Sequence, residues 1–223
     1  MVLEHGAWAN SASWNGVVRR RQRDGYTVDV PPNPLRGLAY DPAYLADFLH
    51  SITGPIVLVG HSYGGAVITN AATGNPQVKA LVYVDAFIPA QGQTLGQLVT
   101  AKPGSCVAVP PATIFNFATF PGAPPGVVDA YIKQSLFPSC IANGLPRREA
   151  AALAAAQEPL STIALTQQSG VPAWKTIRSW AVIGTADRTI PPAELIAMAR
   201  AAHARITLVP HAPHLSWCPT PAS

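Results

Sequence analysis

Residues 55 to 66 read Pro55-Ile56-Val57-Leu58-Val59-Gly60-His61-Ser62-Tyr63-Gly64-Gly65-Ala66, an apolar, β-branched run that meets a glycine-flanked serine and continues into the helix formers Ala66-Val67-Ile68. The pattern predicts strand, sharp turn and helix, the setting in which Gly-x-Ser-x-Gly lifts a serine hydroxyl above the edge of a sheet. Glycines are needed on either side because side chains there would collide with the neighbouring strand and helix, and the serine itself takes a strained backbone conformation. Ser62 is therefore the candidate nucleophile. The Tyr63 N–H opens the following helix, where unpaired amides and the helix dipole favour negative charge, so it is a candidate half of an oxyanion hole.

A serine so placed needs a base and an acid. Arg205-Ile206-Thr207-Leu208-Val209 reads as a short strand closed by Pro210, and the loop after it offers His211 and His214. Ser179-Trp180-Ala181-Val182-Ile183-Gly184 reads as a buried strand that opens into Thr185-Ala186-Asp187. Asp187 is one candidate acid, although an aspartate before Thr189-Ile190-Pro191 also suits a turn cap. Asp85, at the end of the strand pattern Ala80 to Val84, is its rival. With either histidine, Asp187 gives the chain order Ser, Asp, His, which differs from the orders in chymotrypsin and subtilisin.

The remaining requirement is a second oxyanion donor. The chain opens Val2-Leu3-Glu4-His5-Gly6-Ala7-Trp8, a strand end running into a His-Gly loop. Here the sequence resembles the serine hydrolases of the α/β-hydrolase superfamily, and more narrowly the small bacterial esterase-like branch related to plant esterases and hydroxynitrile lyases. The resemblance rests on His5 to Trp8, Pro31 to Gly37, Gly60 to Gly65, Val82 to Phe87, Val182 to Pro192 and His214 to Ser216, which together span nearly the whole chain. It implies His214 as the catalytic histidine, Asp187 as the acid, and the Ala7 N–H as partner of Tyr63 in the oxyanion hole. His5 is expected to brace the oxyanion loop, and His61 to pack beside the elbow rather than carry protons.

Alternating strand and helix patterns predict an α/β fold with a mainly parallel sheet covered on both faces. Strands are expected near Val2-Leu3, Tyr26 to Val30, Ile56 to Gly60, Ala80 to Val84, Trp180 to Gly184 and Ile206 to Val209. Asp41-Pro42 reads as N-cap and first-turn proline of a helix through His50. Between Pro89 and Trp174 the alternation stops, and helices are expected at Val127 to Leu136 and Pro146 to Gln157. The expected organisation is a hydrolase core at 1–88 and 175–223, with a helical lid insertion at 89–174 whose Phe115, Phe117, Phe120, Phe137 and Trp174 supply an apolar pocket. Against the family pattern the chain reads as trimmed at both ends, with an unusual charge at Glu4.

At 223 residues, 48% hydrophobic and 12% charged, the chain suits one domain with a generous core. A net charge of +4, partly from Arg19-Arg20-Arg21 and Arg23, is too modest and too local for a nucleic-acid surface. No apolar run reaches the roughly 18 residues of a membrane span, and no basic-then-apolar leader opens the chain. The expected partner is a small-molecule ester. Exposed sheet edges leave room for a homodimer. No metal or organic cofactor is required, since His211 and His214 lack a third ligand at a persuasive spacing. Cys106 and Cys140 flank a proline-rich stretch and Cys218 stands alone. A bridge between the first two would indicate secretion, and three reduced thiols the cytoplasm. The resemblance keeps two other enzymatic readings in play, a perhydrolase and a hydroxynitrile lyase using Lys175. A catalytically silent binding protein of the same fold is the reading from a different class.

Overall fold

The computed structural model describes residues 1–215. Along the core the elements are β1 (Val2–Glu4), α1 (Asn15–Arg23), α2 (Asp41–His50), β2 (Ile56–His61), α3 (Tyr63–Ala71) and β3 (Val78–Val84). The middle of the chain forms α4 (Leu95–Thr100), α5 (Pro111–Ile114), β4 (Phe115–Ala118), β5 (Asp129–Ile132), α6 (Phe137–Cys140), α7 (Arg147–Ala155) and β6 (Leu160–Ser161). The core then resumes with β7 (Ser179–Gly184), α8 (Pro192–Ala201) and β8 (Arg205–Val209). The central sheet has the order β1-β2-β3-β7-β8, and each neighbouring pair is parallel. All five strands thus deliver their carboxyl ends to one edge, where ligands of open α/β sheets bind.

Side chains alternate across that sheet. Val2, Ile56, Leu58, Leu81 and Tyr83 pack with Leu45 and Leu49 of α2 and with Val67 and Ile68 of α3. Leu3 and Val59 turn to the other face with Trp14, joined by Val57, Val82 and Val84. An open apolar groove of about 600 Å³ runs along this second face, bordered by Val182 and Val209 as well. Among the described residues no helix is long and apolar enough to cross a membrane.

Three local expectations change. Tyr26 to Val30 forms no strand; it makes a single bridge, Asp29 to Val2, with Leu3 N–H donating to Asp29 C=O at 3.0 Å. Pro31 and Pro32 follow at once and have no N–H with which to extend a ladder. Asp41 is the first residue of α2 rather than its N-cap, which is Tyr40. Its carboxylate instead accepts N–H groups of Arg36 at 2.9 Å and Gly37 at 3.0 Å, and the Tyr63 hydroxyl at 2.6 Å. Val127 to Leu136 is not helical: Asp129–Ile132 pairs antiparallel with Phe115–Ala118 and then with Leu160–Ser161. Pairing with a strand distant in sequence outweighs a helical reading of a short apolar run.

The middle segment is fastened to the core at several points. Trp8 Nε1–H donates to Ala130 C=O at 2.9 Å, and Arg36 pairs with Asp129 at 2.8 Å while its guanidinium lies 4.5 Å from the Phe120 ring centre. Cys106 and Cys140, 34 residues apart, are joined by a disulfide with Cα atoms 5.6 Å apart. On chain-entropy grounds, closing such a loop is worth roughly 4 kcal/mol.

Alternation along β1 puts Glu4 on the same face as Val2, toward α2. Glu4 is 1% exposed, and its Oε2 has no hydrogen-bond partner among the described residues. Burial, and then the nearby Asp41 carboxylate, push Glu4 well above the usual carboxylate range. Burial raises Asp41 too, against the opposing hydrogen bonds from Tyr63, Arg36 and Gly37. An acid whose pKa is higher folded than unfolded keeps its proton only in the folded chain, so stability falls as pH rises above the unfolded value. Thermal unfolding followed by circular dichroism is expected to show Glu4→Gln level with the parent near pH 4. Near pH 8 the variant should be more stable by about 3 °C or more. Equal pH dependence of the two proteins would show that Glu4 is ionised in the fold.

Candidate active site

The end of β2 enters its turn with Ser62 at φ 51° and ψ −121°. A β-carbon on Gly64 would lie 2.6 Å from the Glu4 carbonyl oxygen and 2.7 Å from that of His5, so only glycine lets α3 approach β1 this closely. The approach brings Ser62, Tyr63 and Ala7 to one cavity. Its wall is completed mainly by Trp8, Phe87, Leu95, Val99, Phe115 and Thr189. The cavity measures about 50 Å³.

Asp187 leaves the end of β7 and His214 follows β8, and the two meet as a pair. His214 Nδ1 lies 2.7 Å from Asp187 Oδ2, with the histidine side chain 2% exposed and the aspartate side chain 0%. The other carboxylate oxygen, Oδ1, accepts the N–H groups of Thr189 at 2.7 Å and Ile190 at 3.0 Å. The turn-cap and pairing roles of Asp187 are thus filled by different oxygens. Burial opposes charge on His214, but the Asp187 carboxylate, its hydrogen bond and the Asp85 charge outweigh it, raising the imidazole pKa. Asp85 is itself fully buried and accepts the Gly184 N–H at 2.6 Å. His211 is exposed, its N–H bonded to Thr185 Oγ1.

The histidine beside the serine is held to that pair. His61 and His214 rings lie 4.6 Å apart, and His61 Nε2 is 3.0 Å from the His214 carbonyl oxygen, which can only accept. His61 is therefore protonated on Nε2. Burial, with His214 close by, holds its pKa well below the ordinary histidine value. Ser62 Oγ makes no hydrogen bond of its own among the described residues; such contacts tighten when substrate binds.

His5 sets the loop through Ala7 by a similar argument. Its Nε2 accepts the Asn33 N–H at 3.1 Å, so Nδ1 carries the proton and donates to the Gly6 carbonyl at 2.9 Å. The carbonyl of Gly6 and the N–H of Ala7 belong to one planar trans peptide and point in opposite directions. Anchoring the carbonyl therefore fixes the Ala7 N–H. The Tyr63 N–H, at the first position of α3, has no acceptor within its own helix. Burial pushes His5 down to about 4 despite the Gly6 bond, so the brace is uncharged.

Asn33 escaped the sequence reading, as did the Asp41 to Tyr63 bond. Asn33 Nδ2 also donates to the His5 carbonyl at 2.9 Å. The available signal was the run Pro31-Pro32-Asn33-Pro34, in which Asn33 supplies the only backbone N–H. The expected aromatic pocket is narrower than foreseen. Phe115 lines the cavity, but Phe117 is 46% exposed, Phe120 stacks under Arg36, Phe137 packs in the core, and Trp174 Nε1–H is bonded to Pro89 C=O at 3.0 Å. Lys175, Arg178 and Arg188 are exposed and are not among the lining residues. No metal-binding cluster of three or more ligating side chains occurs among the described residues.

A family model described as the alpha/beta hydrolase family matches residues 1–221. A carbendazim hydrolyzing esterase of Nocardioides sp. is 32% identical over 111 residues, covering 44% of this chain and 46% of that protein. A putative chloroplastic methylesterase of Arabidopsis thaliana is 27% identical over 173 residues, covering 71% of this chain and 38% of that protein. The matches to these two relatives thus span less than half of their length. Among solved structures, polyneuridine aldehyde esterase superposes with a TM-score of 0.77 at 15% identity, over 97% of this chain and 92% of that one. A pyrethroid hydrolase from Sphingobium faniae gives 0.71 at 21% identity, over 97% and 90%. These last two likenesses concern the fold. With this sheet order, this elbow and a family match over nearly its full length, the chain belongs to the alpha/beta hydrolase family.

Proposed function

We propose that the chain is a serine carboxylesterase that cleaves neutral esters with short to medium acyl chains through an acyl-enzyme. The observation that carries this reading is the strained Ser62 in one cavity with Ala7 and Tyr63, together with the buried His214 that is bonded to Asp187 and whose ring lies 4.6 Å from that of His61, the residue before the serine. Relatives named as esterases support ester cleavage.

His214 Nε2 takes the Ser62 proton as Oγ attacks the acyl carbon. Asp187 holds the imidazole with its proton on Nδ1 and stabilises the imidazolium that forms. The Ala7 and Tyr63 N–H groups receive the negative charge on the former carbonyl oxygen, each donor of this kind being worth about 3 kcal/mol. His214 then protonates the departing alkoxide, and a water activated by the same imidazole hydrolyses the acyl-enzyme. Residues 89–174 act as the cap over the cleft, contributing Leu95, Val99, Val107, Phe115, Leu160 and Leu165 to the cavity wall. The lyase reading loses support because Lys175 is exposed. The bridged Cys106 and Cys140 favour an oxidising compartment, and hence secretion.

Ser62→Ala is expected to abolish p-nitrophenyl ester turnover and fluorophosphonate labelling with little change in melting temperature. Full activity in that variant would sink the serine mechanism. Asp187→Asn should cost up to ~10⁴ in turnover through the wrong histidine tautomer, and Asp85→Asn far less. The opposite ranking would move the acid to Asp85. Because the cavity wall is apolar and the nearby cations are exposed, kcat/KM should favour neutral p-nitrophenyl esters from acetate to octanoate. Palmitate and anionic hemi-esters should fall below them, and a preference for the anionic set would refute the pocket assignment.

A further inference from the structure

The Asp187 loop is bonded on both sides to the two segments that the disulfide joins. From one side, Cys106 N–H donates to Arg188 C=O at 2.7 Å and Ser105 Oγ–H donates to Thr189 C=O at 2.7 Å. From the other, Thr189 Oγ1–H donates to Cys140 C=O at 3.2 Å and Asn143 Nδ2–H donates to Ala186 C=O at 3.0 Å. Thr189 is the hinge of this arrangement: its N–H holds the Asp187 carboxylate, its carbonyl holds Ser105 and its hydroxyl holds Cys140. Neither anchoring segment belongs to the central sheet. Residues 105–107 lie in irregular chain between α4 and α5, and Cys140 ends the single turn of α6. The cross-link ties these two segments to each other, so that two separate contacts with the loop become one closed clamp.

Building on the assignment of Asp187 as the triad acid, we propose that the Cys106–Cys140 disulfide is a positioning element for that acid, and that a dithiol reductant switches the enzyme to a slow state by opening it. Cys106 is half-buried, whereas Cys140 is 2% exposed. A reductant thiolate attacks Cys106 Sγ and the S–S bond breaks, Cys140 leaving as a thiolate that takes up a proton. The second reductant thiol then closes its own ring disulfide and releases Cys106, so the protein gains two electrons and two protons and the reductant loses them. The freed loop lets Asp187 drift from His214. The imidazole loses its tautomer lock and the carboxylate that raises it most, keeping only the Asp85 charge and the uncharged His61 ring as titratable neighbours, while it stays buried; the balance shifts toward its neutral form.

Two effects follow that a disulfide serving stability alone would not produce. In a Cys218→Ser background, protein reduced with dithiothreitol and desalted under argon is compared with the oxidised form. The Cys106→Ser/Cys140→Ser variant provides the same open state without reagent. Turnover of p-nitrophenyl acetate is followed across pH, below the melting temperature of each form. The open forms are expected to lose at least about ten-fold in kcat, with the acid limb of kcat/KM displaced to lower pH and both changes reversed on reoxidation of the reduced protein. An active oxidised enzyme whose open forms keep kcat and the acid limb, even with a lowered melting temperature, overturns the proposal. If the open forms unfold, Ser105→Ala and Asn143→Ala with the bridge intact decide. A downward shift of the limb supports the clamp, and an unmoved limb refutes it. An oxidised enzyme that neither turns over esters nor takes up the fluorophosphonate refutes the esterase reading, and the clamp with it.

Discussion

The backbone of Ser62 sits at φ 51°, ψ −121°, a conformation that an isolated serine avoids, and the packing of the core exists to impose it. Three elements share the task. Strand β2 is locked in register between β1 and β3, helix α3 is pressed against β1 through Gly64, and the turn's own carbonyl, Ser62 C=O, accepts N–H groups from Gly65 and Phe87. The strain is local, but the energy that sustains it is spread over a parallel sheet and the helices on its flank.

The same economy governs the groups around the serine. Each is held by hydrogen bonds of its own: Asp187 by amides two and three residues along, His61 by the His214 carbonyl, His5 by Asn33, Asp41 by the Tyr63 hydroxyl and two loop amides. Pre-set dipoles need not reorganise when charge develops, and this is where much of an enzyme's electrostatic stabilisation arises. Glu4 stands apart from this order. It is a carboxyl buried with an unpartnered oxygen, and burial favours its neutral form where no donor answers that oxygen.

What the sequence made legible was what local chemistry dictates. Gly60 to Gly65 signal the elbow because the close approach of strand and helix demands glycine, and the strand patterns ending at Gly184 and Val209 place Asp187 and the histidine loop at one sheet edge. The choice between Asp187 and Asp85 was not local, since both follow buried strands; the Nδ1 to Oδ2 contact of 2.7 Å assigns the pairing to Asp187. The strand at Asp129–Ile132 was hidden for a related reason, because its partner lies at Phe115–Ala118 and a short apolar run fits either period. The aromatic residues of the middle segment were legible as apolar bulk but not in direction. Only tertiary packing decides that Phe115 faces the cavity while Phe120 lies beneath a guanidinium.

Three imidazoles crowd the elbow, and their partners sort them into two kinds. His5 donates a hydrogen bond to the Gly6 carbonyl and accepts one from the Asn33 N–H, and His61 donates to a carbonyl with burial pressing it toward neutrality. His214 alone faces a carboxylate that rewards protonation. Toward acid, the cluster therefore behaves as a single-proton device. One protonation, at His214, adds charge to the cluster, while burial keeps the other two rings as uncharged brackets.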